Sequence, residues 1–459
     1  MAGHVLPARR SNRLRDWVDS LAKRSPARFA MLVFAGIIVL FTLLLLIPYA
    51  KAGSGSASFF EALFTATSAV SVTGLTIVDT ATYWTPLGHT IIAIAMQIGG
   101  LGVMTLASLL GLAVARHIGL TQKILTATET QSRLGDVGSL LRAVVLTSLT
   151  VELVLTAAFI PTFLSMGHPL VESVAQSAFM AISTFNNGGF VAFSEGMNGL
   201  ATNWAFTIPV ILGAITGALG FPTILNISQT FREPRRFSLH TKLTLVTYGA
   251  IFAVSVVLLL AFEWSNPQTT AGFGFFDRLQ TALFHGATAR SAGLSTINIG
   301  DMNESTWFVL DILMFIGGGS GGTAGGIKVG TFAVLVLAIL AEAHGDRDTE
   351  AFGTRIPPDV IRLAISATFL GAFMVGIGTL IILHSTNYAL DSVLFETISA
   401  FATCGLSTGI TASLGPVGQT VLIVLMYFGR VGTMTLAAAL ALRQRRRVIR
   451  FPEERPIIG

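Results

Sequence analysis

Apolar and polar positions in this chain separate on the scale of whole segments. Runs near 20 residues or longer recur, divided by short polar stretches that hold most of the charge. A run of that length is enough for a helix to cross a bilayer. Phe29 to Tyr49 is the first such run, and Trp84 to Ala115 returns. Between them sits a shorter apolar piece, Phe59 to Ala69, too brief to cross as a helix. It leads into Val70-Ser71-Val72-Thr73-Gly74-Leu75. The pattern is therefore long helix, short helix, loop, long helix.

The same order returns three times. The second set is Leu141 to Met166, Val171 to Ser183 and Asn203 to Gln229. The third is Leu243 to Glu263, Phe275 to Ala287 and Trp307 to Ala343. The fourth is Ile361 to His384, Leu390 to Ala400 and Val417 to Leu442. Each short piece ends in a loop of small residues around glycine: Thr184 to Phe190, Thr288 to Leu294 and Phe401 to Leu406. The glycines Gly74, Gly189, Gly293 and Gly405 stand 115, 104 and 112 residues apart. A recurring element at near-constant spacing is an internal repeat. One such loop is equally well a helix-packing turn. Four copies enclose one axis, toward which backbone carbonyls replace a cation's water shell.

Each short helix carries an acid in or just before its first turns: Glu61, Glu172, Asp277 and Asp391. This placement favours the helix dipole and turns the partly negative C-terminal ends toward the axis. Plain N-capping explains the acids equally well, so the loops carry more of the argument.

The long return segments hold a second kind of signal. Ile98-Gly99-Gly100-Leu101-Gly102-Val103-Met104-Thr105-Leu106-Ala107 and Phe428-Gly429-Arg430-Val431-Gly432-Thr433-Met434-Thr435-Leu436-Ala437 share two glycines and Met-Thr-Leu-Ala in register. Gly100 stands against Arg430. An arginine inside a span faces a cavity or a partner, or snorkels to the surface. Arg430 lies about a dozen residues before the end of its span, deep for snorkelling, and reads as a pore-lining cation at a gate. The third return segment is interrupted by Gly317, Gly318, Gly319, Ser320, Gly321, Gly322, Thr323, Ala324, Gly325 and Gly326. A continuous helix tolerates that composition poorly. It predicts an unwound, mobile loop lining a cavity, with Lys328 as a second inner charge.

Composition narrows the class. Of 459 residues, 52% are hydrophobic and 12% charged, far from a soluble domain of this length. The net charge of +5 does not point to nucleic acid, because the basic residues flank apolar runs. They cluster in 1–28, 116–140, 231–242, 344–360 and 443–459, while Lys51 and Arg278 are nearly alone on the other side. The positive-inside bias then puts both termini in the cytoplasm with eight spans between them. Trp84, Trp204, Trp264 and Trp307 read as interfacial aromatics at the outer ends. Leu14, Trp17, Val18 and Leu21 fit either a short surface helix or part of a disordered basic tail. No short apolar core precedes a cleavage site, so no removable signal peptide is expected. The lone Cys404 excludes an internal disulfide. We find no metal-spaced histidines, nucleophile motif or phosphate loop, and no enzyme is expected. His285 reads as a packed or vestibule residue.

Taken together, the four loops, the glycine run and Arg430 resemble the membrane subunit of the Trk/Ktr/HKT cation transporters, on the Ktr branch. The resemblance extends from about residue 29 and includes the tail Phe451 to Gly459. It implies an all-α integral membrane fold of four tandem helix–pore-helix–helix repeats, pseudo-fourfold around a central pore. The repeats would occupy 29–119, 141–230, 241–343 and 359–442, between a cytoplasmic segment 1–28 and a tail 443–459. It implies potassium at the main chain of Val72, Thr73, Gly74, Asn187, Gly188, Gly189, Ser291, Ala292, Gly293, Thr403, Cys404 and Gly405. In the plant branch, serine at the first filter glycine accompanies sodium preference, so Gly74 favours K+. Sodium dependence stays open, as do a sodium-conducting pathway and an alternating-access symporter. The resemblance also implies a homodimer and a cytosolic RCK-type ring, with the regulatory nucleotide on that partner.

Overall fold

The computed structural model describes residues 26–117 and 137–441. The expected surface helix at Leu14 to Leu21, the centre of the 116–140 segment and the basic tail lie outside the described residues.

In the described residues the chain is helical apart from one small hairpin. Helix α1 (Pro26–Leu45) precedes the short α2 (Phe59–Ser71), a single turn α3 (Thr80–Tyr83) and the long α4 (Pro86–His117). Next come α5 (Val137–Ser165), α6 (Leu170–Phe185), α7 (Trp204–Leu219) and α8 (Phe221–Thr230). These are followed by α9 (Leu239–Glu263), α10 (Phe275–Thr288), α11 (Glu304–Phe315) and α12 (Val329–His344). The hairpin pairs β1 (Glu350–Ala351) with β2 (Thr354–Arg355). The last helices are α13 (Pro358–Ser385), α14 (Leu390–Phe401) and α15 (Gly415–Ala441).

The short helices start for local reasons. At α2 the Ser58 side chain accepts from the Glu61 amide at 3.2 Å, and Glu61 returns the bond to the Ser58 amide at 2.8 Å. This reciprocal cap satisfies two of the orphan donors of a helix start. Glu172, Asp277 and Asp391 occupy the first turns of α6, α10 and α14.

One span differs from expectation. The return segment over 203–229 is not continuous. It breaks at Gly220, where φ is +88°, and α8 leaves α7 at 97°. Pro222 lies in the first turn of α8 and lacks the amide needed to continue α7. By length and apolarity, three helices of the described residues suffice to cross a membrane: Leu141–Ser165, Leu239–Glu263 and Pro358–Ser385. The bent pair would make a fourth. Trp84 is also not an interfacial anchor. It is 2% exposed, packed where Gly88 leaves room. Trp204 and Trp264 are exposed.

Packing closes on itself. The return helix of each set lies on the short helix of the next: α4 on α6, α7 on α10, α11 on α14. Helix α15 then lies on α2 and α1, joining the end of the chain to its beginning. The short helices are buried at their C-terminal ends, from Thr65 to Ser71 in α2 and Thr397 to Phe401 in α14. The long helices turn Leu153, Val257, Phe369 and Leu380 outward, each well exposed. Such an apolar exterior fits a multi-pass membrane protein.

Candidate functional site: four loops and the glycine segment beneath them

The four loops that end α2, α6, α10 and α14 meet at one place. They share one backbone plan. Two residues before each glycine, a non-glycine residue has positive φ: Val72 at 56°, Asn187 at 58°, Ser291 at 148° and Thr403 at 46°. Gly74, Gly189, Gly293 and Gly405 follow with φ of 91°, 70°, 63° and 99°. L-residues visit this region rarely, and such outliers cluster at functional sites. The common plan also settles the register of the second loop on Gly189 rather than Gly188.

Neighbouring loops touch in cyclic order. A β-carbon on Gly74 would stand 2.7 Å from the Gly188 carbonyl oxygen and from the Gly189 Cα. One on Gly189 would stand 3.2 Å from the Ala292 carbonyl oxygen. A β-carbon on Gly293 would collide with the Cys404 carbonyl, and one on Gly405 with that of Thr73. Thr73, Gly188, Ala292 and Cys404 are the four residues immediately before the glycines. Only a residue without a side chain admits this approach of four main chains.

The short helices hold the loops with serines that sequence reasoning passed over. The Gly74 amide donates to Ser68 Oγ and the Gly405 amide to Ser399 Oγ, both at 3.0 Å. Ser183, in the same register, instead donates to the Phe190 carbonyl at 2.8 Å. Alanine 287 occupies this position in the third loop. The available signal was a serine six residues before glycine in three of the four loops.

Beneath the loops lies the glycine segment between α11 and α12. Its ends meet in a parallel bridge between Ile316 and Ile327. It fills the break in the second return segment. The Gly319 amide donates to Ala218 O at 2.7 Å, Thr323 N to Gly217 O at 3.2 Å, and Phe221 N to Gly321 O at 3.2 Å. The two interruptions thus satisfy each other's backbone groups, as irregular backbone away from water requires. The segment also reaches the loops above. Asn187 Nδ2 donates to Thr323 Oγ1 at 2.7 Å, and the Gly325 amide to Ser291 Oγ at 3.2 Å. A β-carbon on Gly325 would strike Thr403 Oγ1 and the Ala402 carbonyl.

Both predicted inner cations point at this segment. Arg430 is 2% exposed, and its Nη1 donates to the Thr323 carbonyl. That burial argues against snorkelling. Lys328 Nζ donates to the Ala324 carbonyl and approaches that of Gly325 at 3.4 Å. Gly429 and Gly99, one residue before Arg430 and Gly100, let α15 and α4 pack onto Phe401 and Val70.

Several buried polar residues were not foreseen. Glu396 in α14 is fully buried and accepts from Ser407 Oγ at 2.6 Å, the Thr408 amide at 2.9 Å and Thr411 Oγ1 at 2.6 Å. Its sequence signal was a second acid in the short helix, well past the first turn that Asp391 occupies. Asn186 binds Gln97 Oε1 at 2.7 Å and Glu152 Oε1 at 3.2 Å, tying the second loop to α4 and α5. His285 is packed, between Thr281 O at 2.8 Å and Ser295 Oγ at 2.9 Å.

Comparison with known proteins agrees with this arrangement. Residues 20–447 match the family model TrkH, cation transport protein. The chain is 33% identical to Ktr system potassium uptake protein D of Bacillus subtilis, over 95% of this chain and 97% of that one. It is 32% identical to Ktr system potassium uptake protein B of the same organism, over 97% and 99%. The crystal structure of the potassium transporter TrkH from Vibrio parahaemolyticus superposes with a TM-score of 0.71, covering 90% of this chain and 84% of that one at 19% identity. The last of these speaks to fold alone. With a family match over nearly its whole length and relatives above 30% identity, the chain belongs to the TrkH family of cation transport proteins.

Proposed function

We propose that this protein takes up potassium across the cell membrane through a channel-like filter formed by one chain. The observation that carries the reading is the mutual contact of Gly74, Gly189, Gly293 and Gly405, with the carbonyls of Thr73, Gly188, Ala292 and Cys404 between them. The main chain from Val72, Asn187, Ser291 and Thr403 through each glycine supplies oxygens that stand in for hydration. The four helix C-terminal ends add partial negative charge below the ion. Four units, at 29–119, 141–230, 241–343 and 359–442, surround the pathway. The cyclic packing of return helix on the next short helix supports that reading. The names of the Bacillus relatives support potassium as the ion.

The glycine segment 317–326, with Arg430 and Lys328 bonded to its carbonyls, acts as the gate. Its displacement opens the path, and Arg430 opposes an entering cation while it stays. A cytosolic RCK-type ring drives that displacement with nucleotide bound to the ring. The chain works as a homodimer with both termini in the cytoplasm, and sodium modulates uptake. The hairpin at 350–355 and the basic turn Pro234–Arg236 lie in the segments offered to the ring.

The test is rescue of potassium uptake in a transport-deficient cell, with and without a co-expressed ring subunit. Rescue that requires K+ and rises with the ring supports the reading. Sodium uptake of equal or greater rate, or a slow turnover that saturates like a carrier, replaces it with the sodium or alternating-access alternative.

A further inference from the structure

Arg290 lies in the third loop, three residues before Gly293. It is 1% exposed and has no carboxylate within ion-pair range among the described residues. Its Nη1 donates to the Tyr248 carbonyl on α9 at 3.0 Å, and its Nη2 to the Gly317 carbonyl at 3.3 Å. The guanidinium stacks on the Tyr248 ring at 3.5 Å from the centroid. The ring face and two carbonyls replace the anion a buried cation ordinarily requires.

The next residue completes the grip. Ser291 Oγ donates to the Thr403 carbonyl at 3.3 Å and accepts from the Gly325 amide at 3.2 Å. Gly317 is the first and Gly325 the next-to-last residue of the glycine segment, and they abut: a β-carbon on Gly317 would collide with the Gly325 carbonyl. Two consecutive residues of the third loop therefore hold both ends of the segment. At the equivalent position in the other loops, Ser71 bonds within its own helix and loop, and Asn186 turns to α4, α5 and its own helix. Ala402 has no polar side chain.

We infer that Arg290 is a positioning residue that couples the third filter loop to the glycine segment, so that cation occupancy above and displacement of the segment below bias each other. The inference rests on the filter-and-gate reading. When the segment moves, Gly317 withdraws its carbonyl from a guanidinium that water does not reach. The loop must then shift with the segment or leave a charged donor unsatisfied. Coupling of this kind is reciprocal: what potassium does to the segment, the segment does to potassium affinity.

The test uses the full-length chain in proteoliposomes carrying Ser320→Cys. Ser320 is the partly exposed residue of a segment whose other members are buried. Cys404 is fully buried, so the protein without Ser320→Cys reports the background. The rate of modification by a charged methanethiosulfonate is measured in potassium and in choline. With Arg290 in place, the two rates differ by roughly tenfold, the shift expected from one charge-assisted hydrogen bond. With Arg290→Met the difference collapses to within about twofold, which loss of that bond predicts. Should Arg290→Met fail to fold, Tyr248→Leu removes the stacked ring and keeps the carbonyl; it reduces the difference in the same direction. Equal rates with Arg290 present overturn the inference. So does an undiminished difference in whichever of the two variants folds. A separate reading distinguishes the gate itself: if covalent modification at Ser320→Cys leaves flux unchanged, the gate assignment fails while the coupling remains measurable from the rates.

Discussion

Gly74 and Gly189 lie so close that a β-carbon on the first would stand 2.7 Å from the Cα of the second. The two residues are far apart in the chain and lie in loops that follow different short helices, yet neither can carry a side chain without moving the other's main chain. The same holds around the ring, and the predictions begin there.

Gly74→Ser places a β-carbon against Gly188 and Gly189 at a φ of +91°. Left-handed backbone costs an L-residue about 1–2 kcal/mol. Discrimination of potassium over sodium should fall by about tenfold, the equilibrium equivalent of 1.4 kcal/mol. Competition uptake with both ions measures it, and an unchanged ratio would remove Gly74 from the filter.

Arg430→Ala should raise flux per transporter. It removes both the hydrogen bond to Thr323 and a buried positive charge beside the proposed gate. Flux normalised to surface-labelled protein decides the point; an equal or lower value strips Arg430 of its barrier role.

Ser68→Ala and Ser399→Ala each delete the hydroxyl that accepts from a loop glycine amide. Each should loosen one loop by about 1 kcal/mol, the net worth of a neutral hydrogen bond. Because the third loop already has Ala287, expression should hold while ion discrimination weakens. Loss of folded protein with no change in ion ratio would show a purely structural role.

Glu396→Ala leaves Ser407, Thr408 and Thr411 without their common acceptor. We expect a loss of about 1–3 kcal/mol for a buried network broken on one side, read as a lower melting midpoint in detergent. Glu396→Gln keeps an acceptor oxygen and should lose less. Equal midpoints for wild type and Glu396→Ala would show that the network contributes nothing.

Gly217→Ala drives a methyl group into the Phe185 carbonyl, with Thr323 Oγ1 3.0 Å away. Overpacking of this kind costs typically 1–3 kcal/mol. The melting midpoint should fall, and it should fall less for Gly102→Ala, where a β-carbon would meet nothing within 4 Å beyond its own stretch of helix.

What could be read in advance depended on the range of the interaction. Helix α2 begins at Phe59 because Ser58 and Glu61 cap each other three residues apart, and it ends where Val72 turns left-handed before a glycine. Those are local rules, visible in residues 58 to 74. The unwinding of 317–326 was equally visible, since so many glycines in one stretch oppose a helix wherever they stand. The break at Gly220 was harder to see. One glycine and one proline in an apolar run are compatible with a kinked helix, and it is the open backbone of Gly319, Gly321 and Thr323 that makes a complete break satisfiable.

The chain by itself determined its membrane character, its four short helices with their glycine loops, and the two inner cations, because periodicity, capping and backbone freedom act within a few residues. Tertiary structure decided which partners those residues meet: Arg430 at Thr323, Asn186 at Glu152, Arg290 at Gly317. Those pairings join positions up to 107 residues apart. A buried polar group takes whatever partner the packing brings within reach, and no local pattern encodes that choice.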